Sequence, residues 1–374
     1  MLSSVGGAPL HPPQHPSAHI CPAWSEGTFA STIYARRMVG TGGGAVPLDR
    51  DAPLYVAGHR GLVGSALWRL LQARGFRRLV GRTSAELDLR DRDTVFGLFD
   101  VVRPACVVLA AARVGGILAN STRPVEFCSD NLRIQLNVLD AALRFGTRRL
   151  LFCGSSCIYP RLATQPISEG ALLTGPLEPT NDAYAIAKIA GIVQVQAARR
   201  QYGARWISVM PTNLYGPGDN FDPSNSHVLP GLLRRMHEAT VAGAPEFVVW
   251  GTGTPRREFM HVDDAARACL LALERYDDPA PLNIGVGSDI SIRELAELVA
   301  RVVGYPGRLV FDHGKPDGMP RKLLDVSRLN RLGFHPGVSL EDGIRSTYQW
   351  YLTRVGETDG PVAVSAVGGV RPAG

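Results

Sequence analysis

A short apolar run, Leu54-Tyr-Val-Ala, ends in Gly58-His-Arg-Gly61-Leu-Val-Gly64, and Leu62 to Leu71 then carries apolar residues at helical spacing up to a stop at Gly75. A strand that turns on glycine straight into a helix is a narrow constraint on the fold. A tight turn, a close backbone approach to a pyrophosphate and close helix packing each need a residue without a side chain, and the helix N-terminus offers free N–H groups to phosphate. Strand before and helix after distinguish this Gly58, Gly61, Gly64 turn from an ordinary glycine-rich loop.

The same strand-then-helix order repeats downstream. Leu79-Val80 reads as a second strand, Thr94 to Val102 as a helix, and Cys106-Val-Val-Leu-Ala-Ala as a buried parallel strand; a long helix around Asn131 to Phe145 and a strand from Arg149 to Cys153 follow. Such alternation predicts an α/β protein with a Rossmann-type, doubly wound parallel sheet. After Asp219 the pattern becomes irregular, with Pro-rich connections, one helix after Ser291 and a final helix after Ser339. Residues 54–218 are therefore expected to form the dinucleotide-binding domain. Residues 219–354 are expected to form mainly a smaller substrate-binding lobe over the carboxyl edge of the sheet, with some segments returning to the first domain.

At the two ends the pattern fails. Residues 1–53 are rich in Gly, Pro, Ser, Ala and His, with Pro-Pro-Gln-His-Pro and Gly-Thr-Gly-Gly-Gly, and residues 355–374 read alike. Such segments bury too little to offset their ordering entropy, so both are expected to be disordered.

Composition narrows the class of protein. The formal charge of +6 over 374 residues is diffuse, which argues against a nucleic-acid partner and suits a small anionic ligand. No apolar run approaches the roughly 18 residues of a membrane span, and the first residues lack a basic head and apolar core, so no membrane partner and a cytoplasmic location are expected. The six cysteines, Cys21, Cys106, Cys128, Cys153, Cys157 and Cys269, are scattered. They lack the paired spacing of a zinc site, no metal is expected, and reduced thiols are the default.

Where an NAD-binding fold carries an acidic residue at the end of its second strand, this chain has Gly81-Arg82-Thr83, and Arg60 lies in the first turn. Two guanidinium groups beside an adenosine ribose suit a 2′-phosphate, which predicts NADP(H) as cofactor. Asp88 is then expected near the adenine. Farther on, Tyr184-Ala-Ile-Ala-Lys188 puts a phenol and an ammonium on one helix face, where the cation is expected to favour the phenolate. Gly154-Ser155-Ser156, just past the fourth strand, supplies a hydroxyl that can polarise a carbonyl while Tyr184 moves its proton.

Glycine turn, serine and Tyr-x-x-x-Lys together resemble the extended short-chain dehydrogenase/reductase family. Four longer strings, Gly154-Ser-Ser-Cys-Ile-Tyr-Pro160, Glu178-Pro-Thr-Asn-Asp-Ala-Tyr-Ala-Ile-Ala-Lys188, Met210-Pro-Thr-Asn-Leu-Tyr-Gly-Pro217 and Asn225-Ser-His-Val-Leu-Pro230, resemble its GDP-L-fucose synthase branch, over about Leu54 to Leu352. The resemblance implies 3,5-epimerisation of GDP-4-keto-6-deoxymannose and reduction of its C4 ketone by NADPH in one site, by a homodimer. It implies Ser155, Tyr184 and Lys188 as the reductase set, and Cys157 and His227 as the acid–base pair for epimerisation. A thiol and an imidazole both titrate near enough to neutrality to exchange protons.

By the same resemblance His59, Leu62, Val63, Leu89, Lys188, Pro211, Asn213, Leu214 and His227 would line the cofactor. Asn213, Arg235, Trp250, Arg257 and Asp317 would meet the substrate, the arginines on phosphate and the indole against the ligand. His261-Val-Asp-Asp264 reads as a turn into a helix capped by an aspartate. Two rival functions remain: a nucleotide-sugar 4-epimerase or 4,6-dehydratase that returns its hydride, and an NADP-sensing binding protein without catalysis.

Overall fold

The computed structural model describes residues 47–223, 226–315 and 317–358; of Ile117, Leu118 and 356–358 only the backbone is described. In chain order the first half comprises β1 (Leu54–Ala57), α1 (Leu62–Ala73), β2 (Leu79–Val80), α2 (Arg92–Val102), β3 (Cys106–Leu109), α3 (Ile117–Thr122), α4 (Pro124–Arg144), β4 (Arg149–Cys153), α5 (Asp182–Tyr202), β5 (Arg205–Pro211) and β6 (Asn213–Tyr215). The second half comprises α6 (Val228–Val241), β7 (Glu246–Trp250), β8 (Arg256–Arg257), β9 (Phe259–His261), α7 (Val262–Arg275), β10 (Leu282–Ile284), β11 (Ile290–Ser291), α8 (Ile292–Val303), β12 (Arg308–Asp312), β13 (Arg321–Lys322), α9 (Ser327–Arg331) and α10 (Leu340–Thr358).

Six strands form one parallel sheet in the order β10-β5-β4-β3-β1-β2. Every residue of β1, β3 and β4 is buried, as expected for strands covered on both faces. The helices form two layers, α1 with α7 and α2 with α4 and α5. The chain leaves β1 toward β2 on one side and returns to β3 on the other, so strand order reverses beside the carboxyl ends of β1 and β3. A crevice opens at such a switch point, and ligands of open α/β sheets bind there.

Local sequence explains the element ends. Asp91 accepts from the N–H groups of Asp93 and Thr94 and starts α2 two residues before the expected Thr94. Ser291 and Glu294 form a reciprocal capping box on α8. The helix expected over 131–145 starts at Pro124, a residue that suits a first helical turn because its missing N–H has no partner there. The cap of α7 differs from expectation: the His261 ring, not an aspartate, accepts from Asp263 N–H, while Asp264 accepts from Gly337 and Val338 N–H and so anchors the loop before α10.

A second, smaller core is built by Leu229, Leu232, Leu233 and Met236 of α6, Phe247 and Val249 of β7, Leu295 and Val299 of α8, and Ile344 of α10. Two-stranded β12–β7 and β6–β9 pairs and the β11-β8-β13 sheet flank it. Between the segments of this core, α7, β10 and α9 pack into the first core through Val262, Leu273, Leu282, Ile284 and Leu329. Helix α6 and strands β7 and β12 lie in the stretch the sequence pattern left irregular.

Residues 47–53 were expected to belong to the N-terminal extension, but they pack on the domain. Arg77 N–H donates to the Arg50 carbonyl, Ala105 N–H to the Pro53 carbonyl, and Leu48 lies against the core. Backbone pairing at the start of β1 orders them despite their composition. Helix α10 likewise continues to Thr358, beyond the limit expected at 354. Residues 1–46 and 359–374 lie outside the described residues.

Candidate active site

The glycine turn does two separate jobs. Gly58 sits at φ +85°, and a Cβ there would stand 2.8 Å from the Ala111 amide nitrogen; at Gly64 a Cβ would stand 2.0 Å from the Gly58 carbonyl oxygen. Both are required by the protein's own packing. Gly61 differs, because a Cβ there would meet only the Gly58 oxygen, at 3.4 Å. Nothing internal demands glycine at 61, which is the N-cap of α1, makes no side-chain cap and precedes a first turn without acidic residues. Free N–H groups, positive helix end and absent side chain fit a pyrophosphate.

Around this turn, the His59 ring packs on Trp68 at 5.3 Å and against Gly81, forming a wall at the end of β2. Arg60 and Arg82 are exposed beside it, and among the described residues neither is ion-paired to a carboxylate; Arg82 donates to the Gly81 carbonyl at 2.8 Å. Asp88 is engaged in a bidentate pair with Arg90, whose hydrogen bonds hold its carboxyl below the usual range. Half-buried Leu89 gives its carbonyl to Asn137, and Leu62 and Val63 pack against the core at the start of α1.

Past β4 the chain makes a one-turn 3₁₀ helix, Ser156–Ile158. Ser156 and Ile158 turn inward and are buried, while Ser155 and Cys157 remain half-buried, with Cys157 N–H donating to Ser155 Oγ at 3.2 Å. The four-residue spacing on α5 brings Tyr184 and Lys188 to the same place. Lys188, 3% exposed, donates through Nζ to the Cys153 carbonyl at 2.8 Å and lies 5.9 Å from the centroid of the Tyr184 ring. Burial lowers its pKa to about 8.

The phenolate expected for Tyr184 is not what this geometry favours. Burial pushes the phenol well above its ordinary value, nearby Cys157 and Cys153 add to the rise, and only a hydrogen bond with Ser155 opposes it. The ammonium is turned to the Cys153 carbonyl instead of the phenol, so Tyr184 is held protonated, the state of a proton donor.

Cys157 carries the opposite bias. Burial alone would raise its thiol, but the charge of Lys322 and hydrogen bonds with Ser155, Lys322 and Asn181 outweigh burial and hold it below its usual value. Lys322 Nζ stands 3.5 Å from the sulfur. His227 is the N-cap of α6; surrounding protein and the Lys322 charge lower its pKa even though its ring is open to solvent on one side. Lys322 and Asn181 were not singled out in the sequence as site residues. A signal was present for Asn181, which lies inside the Glu178–Lys188 string. A buried Asn181 Oδ1 without a hydrogen-bond partner also faces this region and is free to accept from a ligand hydroxyl.

Pro211 ends β5, Asn213 and Leu214 open β6, and Asn213 is fixed by its amide donating to the Glu258 carbonyl at 2.8 Å. On the second lobe, the Arg235 guanidinium lies 5.1 Å from the Phe247 ring centroid and 6.0 Å from that of Trp250. Trp250 is 64% exposed and is approached from elsewhere by Lys315 Nζ at 5.5 Å. Burial lowers the pKa of Arg235 and of Arg257, and Arg257 has no carboxylate partner among the described residues. Partly desolvated guanidinium groups, one of them beside an open indole, fit a phosphate-bearing aromatic ligand. Asp317 accepts from Thr252 N–H and Oγ1, pinning two loops of the lobe together.

Dinucleotide turn, Ser–Tyr–Lys cluster and parallel sheet are those of a nucleotide-sugar epimerase, dehydratase or reductase fold, and the chain belongs to the NAD dependent epimerase/dehydratase family, whose pattern matches residues 54–285. It is 59% identical to GDP-L-fucose synthase 1 of Arabidopsis thaliana, over 82% of this chain and 95% of that protein. It is 56% identical to the GDP-L-fucose synthase of Escherichia coli (strain K12), over 80% and 96%. Among solved structures, the GDP-L-fucose synthetase of Naegleria fowleri bound to NADP superposes with a TM-score of 0.77 at 31% identity, covering 84% of this chain and 98% of that one.

Proposed function

We propose that this protein converts GDP-4-keto-6-deoxy-D-mannose to GDP-L-fucose, by epimerisation at C3 and C5 followed by NADPH-dependent reduction of the C4 ketone. The relatives' high identity over most of the chain supports the overall reaction. One observation carries the division of labour: the Ser155 hydroxyl accepts from Cys157 N–H at 3.2 Å and its presence lowers the pKa of both the Cys157 thiol and the Tyr184 phenol, so one group stands beside both chemistries.

In this reading Ser155 holds the C4 oxygen through both stages. During epimerisation it stabilises the enolate that forms when a proton leaves the carbon beside the ketone. Cys157, whose environment favours the thiolate, removes that proton, and the imidazolium of His227 delivers one to the opposite face. A lowered imidazole pKa makes His227 the better donor when it is charged. NADPH, when bound, supplies the hydride for the ketone. Tyr184, kept protonated by burial, then gives its proton to the C4 oxygen, and buried Lys188 is placed to bind the nicotinamide ribose.

Gly61 and the α1 N-terminus would hold the pyrophosphate, and Arg60 with Arg82 the 2′-phosphate. Arg235 and Arg257 would take the sugar-nucleotide phosphates, with Trp250 against the ligand. A working Cys157 must stay reduced, which fits the cytoplasm; among the described residues no helix is long and apolar enough to cross a membrane.

A homodimer completes the reading. Val125 and Leu136 on α4 are 71% and 44% exposed, Ile186 and Val193 on α5 are 50% and 43% exposed, and the two helices pack side by side. Spacings of eleven and seven residues return to one helix face, so each helix carries an exposed apolar pair suited to a second copy.

Incubating the protein with GDP-4-keto-6-deoxymannose and NADPH tests the proposal, followed at 340 nm with identification of the sugar. Stoichiometric NADPH oxidation with GDP-L-fucose formed is the expected result. A changed sugar without NADPH consumption would replace the reading with a 4-epimerase or dehydratase, and tight NADPH binding without turnover of any sugar nucleotide with a binding protein.

A further inference from the structure

Lys322 has no part in the chemistry set out above, yet its ammonium is the charged group nearest the sulfur of Cys157 in the described structure. Its place is fixed by backbone on every side. Strand β13 pairs with β8 in parallel, Lys322 opposite Arg257. The Lys322 carbonyl accepts from Glu258 N–H, and the next two residues are held by Gln165 and Glu258 side chains and by the backbone at Ile167. From this rail the half-buried side chain crosses to the β4 end of the first domain, where Nζ meets Cys157 Sγ at 3.5 Å. Beside them is a cavity of about 30 Å³ lined also by Glu178, Asn181 and Met319. A cation fixed there stabilises a thiolate and opposes a charge on His227.

We propose that Lys322 is a positioning residue for epimerisation: it holds Cys157 as the resident thiolate base, opposite His227 as the proton donor. The inference rests on the epimerase–reductase reading and deepens it. The groups facing Cys157 are few. From its own turn comes Ser155; from α5 and the residue before it come Tyr184 and Asn181; from β13 comes Lys322. Glu178, at the edge of the cavity, is drawn to Arg161 at 3.4 Å and accepts from Thr180. Lys188 is turned to the Cys153 carbonyl. Lys322 is thus the cation in direct contact with the sulfur, and substrate reaching the thiolate enters a site whose proton inventory is already set. The same strand pair holds Arg257, so the lobe that would bind the nucleotide also carries the group that activates the base.

The test reads the thiol directly. Iodoacetamide labelling of Cys157 is followed against pH by mass spectrometry of its peptide, in the intact protein and in Lys322→Met and Lys322→Arg. Lys322→Met is expected to move the labelling midpoint upward by about one pH unit, slowing labelling near neutrality about tenfold, and Lys322→Arg to restore most of it. Solvent-deuterium uptake at the carbons beside the ketone should fall in parallel, with NADPH binding unchanged. An unmoved midpoint in Lys322→Met, or a moved midpoint with undiminished deuterium uptake, would overturn the proposal. Because labelling needs no sugar nucleotide, failure of the unaltered protein to exchange deuterium at all counts against the proposed function instead, and the midpoint still decides what Lys322 does to the thiol.

Discussion

At the scale of single residues, Lys188 shows how the site sets activity against stability. Its pKa is about 8 in the folded protein, below the ordinary 10.5, so between these values the unfolded chain holds more protons and stability rises with pH. Below pH 8 the full cost of burying the ammonium is present, on the order of 3 kcal/mol, partly offset by the hydrogen bond to the Cys153 carbonyl. Lys188→Met is therefore expected to be more stable at pH 7 by about 2 kcal/mol in urea unfolding, to lose that advantage above pH 10, and to lose ketone reduction. Arg82 is the corresponding case for the cofactor. It is exposed and not ion-paired to a carboxylate, so Arg82→Ala should cost little stability but raise KM for NADPH about tenfold while leaving KM for NADH nearly unchanged; equal losses would remove Arg82 from the 2′-phosphate.

At the scale of elements, Glu258 decides where the short strands of the lobe meet the sheet. It is fully buried between β8 and β9, and its carboxylate accepts from Val286 and Gly287 N–H at 2.7 and 2.8 Å and from Leu324 N–H at 3.0 Å. Three N–H donors converge on two oxygens, so an amide cannot replace the carboxylate without turning a donor toward a donor. Glu258→Gln is expected to cost about 3 kcal/mol and to loosen β13 and the loop after β10 together, seen as faster amide exchange at Val286, Gly287 and Leu324 than elsewhere in the lobe. This residue stands within the Arg257–His261 segment, where the neighbours' chemistry draws attention away from it. Nothing in its own sequence surroundings marks it as a hub, because the groups it binds are 28 to 66 residues away.

At the scale of the whole molecule, the outward face of α4 and α5 predicts an association that the single chain leaves unfilled. Leu136→Glu combined with Val193→Glu should shift sedimentation from dimer to monomer with little change in the unfolding midpoint of the isolated chain, since both side chains are already open to water. The first domain was legible because its signals are local: buried strands read as continuous apolar runs, the glycine turn has one stereochemical solution at Gly58 and Gly64, and Tyr184 and Lys188 need only helical periodicity to meet. The second lobe was not, because α6, β7 and β12 are stabilised by a core assembled from distant segments and their own patterns are short. Likewise the residue types at 155, 157, 184, 188 and 227 were set by sequence and its resemblance to a family, whereas their protonation was decided by tertiary structure. Burial, which keeps Tyr184 protonated, and the approach of Lys322 from 165 residues away are properties of the packed molecule, since the free energy of a charge depends on the solvent and charges that surround it in space.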